Sequence, residues 1–394
     1  MGDRTPQPLR VVHVVGNLNE GGAETLVRNL SVRTADEQTE VSVVCVYPSR
    51  LSEDQKKRFG IRVIEIGRRG RSDVGALWRT VRALRSLRPH IVHAHVHTGK
   101  YLGRLAALLA GGCKIVFTEH HSDPESGPLH ALCDRFLNGR TDAVVTFSEA
   151  MRKIVERSPG LDRRRIVVIP NGVPLERTGG RGRDAIRGEL GLRDDEKAVL
   201  IAARLVPLKN HRLAIAALAL LGTRSTMKIK LLFAGDGPEE AGLRKIAREH
   251  NVDEDVVFLG FRNDVPRLLE GVDLAASTSL NEAMPISLIE AMAAGVPVVT
   301  TPWVGAHEFF QDGRCAEIAS DWSADAFARS IERVLTQTEM TAARVAAARD
   351  LVYERYDITA TAQAHRLLYR SLVGRPSRFA QSANGIGTEA RGVL

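Results

Sequence analysis

LAASTSLNEAMPISLIEAMAAGVPVVTT, residues 274–301, holds one complete folding unit of the chain. The runs at 274–277 and 298–300 are short stretches of small and β-branched residues that suit buried strands. Between them, Pro285 suits the first turn of a helix but not its interior, and Gly295 suits the residue just past a helix end. The order is strand, loop, helix, strand. Two strands joined by a helix pair in parallel, and parallel sheets need both faces covered. A βαβ unit is the reading.

The same alternation extends outward in both directions. Candidate strands lie at 10–15, 41–47, 61–66, 91–95, 114–118 and 143–147, and again at 198–202, 230–234 and 256–259 ahead of the quoted stretch. Helix-period stretches such as 23–33 and 74–87 separate them. The turn-rich IPNGVPLERTGGRGR at 169–183 breaks the pattern as a linker would. The fold class expected is therefore α/β, with two doubly wound domains of similar size facing each other across a cleft. Boundaries are expected at 1–175 and 176–350, with a helix at 351–373 returning to the N-terminal domain and a flexible tail at 374–394.

Composition agrees with a folded enzyme-sized protein. The 394 residues are 44% apolar and 26% charged, ordinary proportions for soluble domains and too apolar for a disordered chain. No apolar run approaches the roughly 18 residues of a membrane span. The polar N-terminus leads straight into VVHVVG and does not read as a secretory signal. Cys45, Cys113, Cys133 and Cys315 are scattered, without CxxC pairing, as free thiols in a reducing compartment would be. The net charge of +8 is uneven: residues 1–180 carry 28 basic and 19 acidic side chains, a net of +9, leaving −1 for the remainder. The basic half calls for an anionic partner: a phosphate-bearing substrate, an acidic membrane surface or nucleic acid.

Several turns carry groups suited to phosphate. Gly21 and Gly22 precede a helix, where backbone can approach a ligand and free N–H groups favour an anion. The turn is not GxGxxG, and it reads equally as a plain tight connection. In the second half, Arg204 and Lys209 flank a loop containing Pro207 between strand and helix. Two cations at the carboxyl edge of a parallel sheet suit a diphosphate; solvated surface charges are the alternative. GDGPE at 235–239 puts Gly235 in another strand-to-helix turn. In the opening segment Glu282 falls on the loop before the helix. Glu290 falls about a turn and a half inside it, in an otherwise apolar run where a carboxylate needs a partner. Backbone N–H groups at Met284, Ile286 and Ser287 are expected to form an anion site between them.

These motifs, taken in order, resemble a family-4 glycosyltransferase of GT-B architecture, two Rossmann-like domains. The matching stretches are GGAE (21–24), HAHVH (93–97), TEHH (118–121), FSEAM (147–151), IPNGV (169–173), ARLVPLKNH (203–211), GDGPE (235–239), FLGFRNDVP (258–266) and the Glu-x(7)-Glu of Glu282 and Glu290. The resemblance implies transfer of a sugar from a nucleotide diphosphate-sugar, with retention at the anomeric carbon and without an obligatory metal or other cofactor. By the same resemblance, Arg204 and Lys209 would hold the donor diphosphate, Glu290 the ribose and Glu282 the sugar hydroxyls. Gly21, Gly22, Gly235, Phe261, Ala283, Met284, Pro285 and Ile286 would line the donor. His120 would sit near the reacting carbon. Arg204, Lys209, Glu282 and His120 form the catalytic set. Ala283 stands where the family usually has glycine, and WVGAHE (303–308) lacks the second glycine of the common pair. Both departures bear on donor identity.

The acceptor expected is a glycan or lipid-linked sugar in cell-surface polysaccharide or glycolipid synthesis, met at the cytoplasmic side. His93, His95 and His97 alternate and would share one strand face, as strand-end residues beside the cleft or, less simply, as metal ligands. Arg79, Arg82, Arg85 and Arg88, beside Leu77, Trp78, Val81 and Leu84, form a basic amphipathic helix, either a solvated face or a contact for an anionic membrane. The alternatives are a nucleotide-sugar epimerase or phosphorylase of the same fold, or a nucleic-acid or membrane-binding module. Nucleic acid is disfavoured because aromatics are only 5% and do not interleave with the basic residues.

Overall fold

The computed structural model describes residues 7–19, 22–49, 51–70, 72–120, 127–175 and 182–374. Gly21, His121, part of the 169–183 linker and the 375–394 stretch lie outside the described residues. The chain divides into two compact units. The first runs to Pro174 and resumes at Ile358; the second is Leu175–Asp357.

The first unit is built on seven strands: β1 Leu9–Val15, β2 Thr39–Cys45, β3 Arg62–Glu65, β4 Ile91–His95, β5 Lys114–Thr118, β6 Ala143–Thr146 and β7 Ile166–Val168. They are all parallel, in the order β3-β2-β1-β4-β5-β6-β7. Burial on both faces explains why the central strands are near-continuous apolar runs. On one face Val12, Val14, Val44 and Val92 pack against Val81 and Leu84 of the helix Gly75–Leu87. On the other, Val11, Ile91 and Val116 pack against Tyr369 of the helix Ile358–Leu372. Each such aliphatic side chain contributes about 1.5–3 kcal/mol by burial.

The second unit holds β8 Glu196–Ala202, β9 Lys228–Ala234, β10 Val256–Gly260, β11 Leu274–Ser277, β12 Val298–Thr300 and β13 Glu317–Ile318. Their order is β10-β9-β8-β11-β12-β13, again parallel throughout. In the opening segment the helix spans Ile286–Ala294 and ends at Gly295, whose φ of 75° is the left-handed conformation glycine adopts freely. The helical stretch at 323–373 resolves into Ala324–Thr336, Thr338–Arg355 and Ile358–Leu372, and only the last belongs to the first unit.

Two edge strands, β7 and β13, are absent from the sequence expectation. They are three and two residues long, too short to show a period. In β13 the buried residue is Glu317, which bonds Arg333 and Arg344, so no apolar run marks it. In the helix Gly75–Leu87, Trp78 is 60% exposed, and Thr80 takes an inward position, its hydroxyl donating to the Ala76 carbonyl at 2.8 Å.

Candidate active site

In a doubly wound sheet the loops leaving the carboxyl ends of two neighbouring strands part where the strand order reverses, and the crevice left there is where ligands bind. In the second unit that point lies between β8 and β11. The loop after β8 carries Arg204 and Lys209, and the loop after β11 carries Glu282. Topology alone thus brings together residues more than seventy positions apart.

The two loops are tied by direct bonds. Leu280 N–H donates to the Leu208 carbonyl at 2.9 Å, and the Thr278 hydroxyl donates to the Lys209 carbonyl at 2.8 Å. Lys209 Nζ donates to Glu282 Oε1 at 2.5 Å, and Ser279 Oγ donates to the same oxygen at 2.6 Å. Ser279 is held in turn by Thr301 Oγ1, which donates to its carbonyl at 2.6 Å. Glu282 Oε1 is therefore held by a cation and a hydroxyl, and among the described residues no partner of its Oε2 is recorded. Arg204 lies on the same loop with its side chain exposed. Lys209 closes a single 3-10 turn, Pro207–Lys209, that stops at Asn210 with φ 49°. His211 next to it is buried, and burial followed by the Lys209 charge pushes its pKa down to about 4, so it adds no positive charge at neutral pH.

The glycine of GDGPE has a steric purpose. A Cβ on Gly235 would run into the Ala203 carbonyl oxygen, and one on Gly237 into the Leu205 carbonyl oxygen. Close approach lets Leu205 N–H bond the Asp236 carbonyl at 2.7 Å, which fixes the loop that carries Arg204. Gly235 N–H also bonds the Gly260 carbonyl at 2.8 Å, just before the exposed Phe261.

Glu290 is the fifth residue of the helix Ile286–Ala294 and half-buried. Among the described residues no hydrogen bond or ion pair to its carboxyl is recorded, and burial raises its pKa to about 7. The partner that the sequence demands is thus not supplied by the described residues. The anion site expected between the two glutamates is narrower than the sequence implied. Pro285, at φ −84° and ψ 85°, makes an inverse γ-turn in which Ile286 N–H donates to the Met284 carbonyl at 3.1 Å. Ile286 N–H is therefore spent, while Ser287 N–H has no recorded acceptor among the described residues. Met284 and Pro285 are buried beneath this turn, and Ala283 is half-buried on its approach.

In the first unit the strand order reverses between β1 and β4. Gly22 opens the helix Gly22–Thr34 after β1. His120 follows β5. His93 and His95 do share a face, but His97 does not: β4 ends at His95, and Val96 at φ 49° turns the chain, leaving His97 exposed. The third member of the cluster is His13, which sits opposite His93 in the β1–β4 register. Nothing in the spacing of β1 alone could have shown that.

His13, His93 and His95 are buried, with one nitrogen of each within 4.8 Å of the others. The bonds they already make fit a metal poorly. His93 meets Tyr369 Oη and Thr118 Oγ1, each at 2.6 Å. His13 Nδ1 and His95 Nε2 are 2.8 Å apart, closer than the roughly 3.3 Å that two nitrogens keep on a tetrahedral zinc. The trio is arranged as hydrogen-bonding rings.

The fold is doubly wound in both units, and comparison with known proteins gives the class. The sequence model described as Glycosyltransferase Family 4 matches residues 20–177, and that described as Glycosyl transferases group 1 matches residues 182–351. The chain belongs to the family-4 glycosyltransferases of GT-B fold, and it is an enzyme of that class. It is 29% identical over 301 residues to EpsF of Bacillus subtilis (strain 168), whose name places it provisionally among glycosyltransferases, covering 74% of this chain and 78% of that one. It is 26% identical over 280 residues to the UDP-Gal:alpha-D-GlcNAc-diphosphoundecaprenol alpha-1,3-galactosyltransferase of Escherichia coli, covering 68% and 72% of the two chains. Among solved structures, Anabaena Alr3699/HepE in complex with UDP and glucose superposes with a TM-score of 0.80 at 22% identity, over 92% of this chain and 100% of that one.

Proposed function

We propose that the protein is a retaining glycosyltransferase that moves a hexose from a uridine diphosphate-sugar to a lipid-linked or polysaccharide acceptor. The observation that carries this is the Lys209–Glu282 couple at the carboxyl ends of β8 and β11, beside a helix whose Glu290 has no recorded partner among the described residues. A nucleotide laid along that helix supplies the missing partner as its ribose hydroxyls. Lys209 and the exposed Arg204 meet the diphosphate, Glu282 meets the sugar, and Gly235 and Phe261 bound the donor. Uridine and a lipid-linked acceptor are suggested by the ligand and substrate in the names of the two relatives above.

In the step proposed, the anomeric carbon–oxygen bond to the β-phosphate breaks as the acceptor hydroxyl oxygen bonds the same face of that carbon. The hydroxyl proton passes to the departing phosphate oxygen, so charge and atoms balance without a metal or a covalent enzyme intermediate. Negative charge grows on the diphosphate, and cations already fixed in place stabilise it without reorganising. His120 and the turn at Gly21 and Gly22 are assigned to the sugar by the family resemblance.

Calorimetry with uridine diphosphate and with the uridine diphosphate-sugar tests the layout. Glu290→Gln is expected to weaken both ligands by roughly 1.5–3 kcal/mol, as for a hydrogen bond to a charged group. Glu282→Gln is expected to leave the bare nucleotide at least as tight as before, since that ligand has no sugar for Glu282 to bond and Lys209 is freed of a competing carboxylate, and to weaken only the sugar-bearing donor. Equal weakening of bare nucleotide by both variants would mean the donor does not lie along this helix. Turnover is expected to survive EDTA; strict dependence on Mg²⁺ or Mn²⁺ would overturn the metal-free mechanism.

We further propose that the enzyme works as a peripheral protein at the cytoplasmic face of a membrane, a reading supported by the diphosphoundecaprenol-linked substrate in the name of the Escherichia coli relative. No helix among the described residues is long and apolar enough to cross a membrane.

A further inference from the structure

We propose that His95 and His13 are positioning residues that hold His120 in its Nδ1–H tautomer, so that a hydrogen-bond donor and not a lone pair meets the transferred sugar. The inference rests on the assignment of His120 to that sugar. Three rings in the first unit form a chain. His13 Nδ1 lies 2.8 Å from His95 Nε2, and His95 Nδ1 lies 3.3 Å from His120 Nε2. The His13 and His95 rings stack, centroids 5.1 Å apart and 25° from parallel. His93 packs 4.0 Å from His95 by ring centroids but spends both nitrogens on Tyr369 and Thr118, so it steadies the chain without joining it.

The direction of the bonds follows from proton counting. His13 and His95 are fully buried, and burial holds both neutral, His13 with a pKa of about 3 and His95 well below the usual imidazole value. A neutral imidazole has one N–H and one lone pair, so two successive bonds must run the same way. If the hydrogens pointed inward from His120, His13 would carry its hydrogen on Nε2. That atom is buried with no partner among the described residues. Orphaned buried N–H groups are rarer than under-used acceptors. The hydrogens therefore point outward: His13 Nδ1–H donates to His95 Nε2, and His95 Nδ1–H donates to His120 Nε2. His120 is left with its hydrogen on Nδ1.

Nitrogen NMR of the full chain carrying labelled histidine reads this directly. The expected spectrum shows His120 protonated on Nδ1 and bare on Nε2; the reverse tautomer overturns the proposal, with no variant needed. His95→Leu is expected to leave His120 as a mixture of tautomers and to lower kcat about tenfold or more with donor KM little changed, as for loss of orientation and not of binding. His95→Asn, whose amide N–H replaces Nδ1–H, is expected to restore most of it. An unaltered tautomer and kcat in His95→Leu would sink the relay. Unaltered turnover in His120→Ala would instead remove His120 from the reaction, a failure of the functional reading that the tautomer spectrum does not share.

Discussion

At the residue scale, Glu290 shows how a site can be held against the stability of the fold. Its carboxyl is pushed up to about 7 from an ordinary 4.5, because burial disfavours the charged form. Between those values the folded chain holds a proton that the unfolded chain has released. Stability is therefore fully present below the unfolded value and is lost as pH rises through the folded one. The loss amounts to roughly 3 kcal/mol at most. Glu290→Gln is expected to match the wild type in unfolding experiments near pH 4 and to exceed it near pH 8, while binding nucleotide more weakly. Parallel stability curves for the two proteins across that range would show that Glu290 is charged at no cost. The apolar ISLIEAMAAG run made this glutamate conspicuous in the sequence. What the sequence could not show is that no side chain among the described residues answers it.

At the scale of elements, the turn after β9 illustrates a motif with two readings. By itself GDGPE passes for structural turn chemistry, and the donor contact proposed for Gly235 comes from the family resemblance. Its missing side chain, however, is required by the neighbouring loop, where the Ala203 carbonyl occupies the space. Gly235→Ala is expected to destabilise the second unit by about 1–3 kcal/mol and to loosen nucleotide binding by shifting the Arg204 loop. Gly242 in the helix Glu240–Glu249 has nothing within 4 Å of a built Cβ, so Gly242→Ala should instead stabilise by about 0.5–1 kcal/mol. Thermal unfolding and calorimetry on the pair check both; equal effects would mean that the close approach carries no weight. The inverse γ-turn at Pro285 is a similar lesson. The proline marked a helix start correctly, but only the backbone conformation shows that Ile286 N–H is already used.

At the scale of the whole molecule, charge is the property most plainly written in the chain. The +9 of residues 1–180 includes the arginines of the helix Gly75–Leu87, but they are not one uniform face. Arg79 donates to the Ile66 carbonyl and Arg85 to the Leu109 carbonyl, while Arg82 stays exposed beside Trp78 and Val74, 60% and 72% exposed. A peripheral membrane contact through that surface predicts co-sedimentation with vesicles rich in anionic phosphatidylglycerol, weakened by salt and by Trp78→Ala. Absence of binding at low salt would remove the membrane from the proposal. The sequence by itself determined the two parallel α/β units, because buried parallel strands must be apolar along their length and helices between them must show their period. It also offered Arg204, Lys209, Glu282 and Glu290 as candidate residues on the loops and helix after β8 and β11. Only the tertiary structure decided which of them meet. Lys209 reaches Glu282 because strand order reverses between β8 and β11, and His13 joins His95 because β1 pairs with β4. Strand order is set by packing between distant segments, and no local period in the chain encodes it.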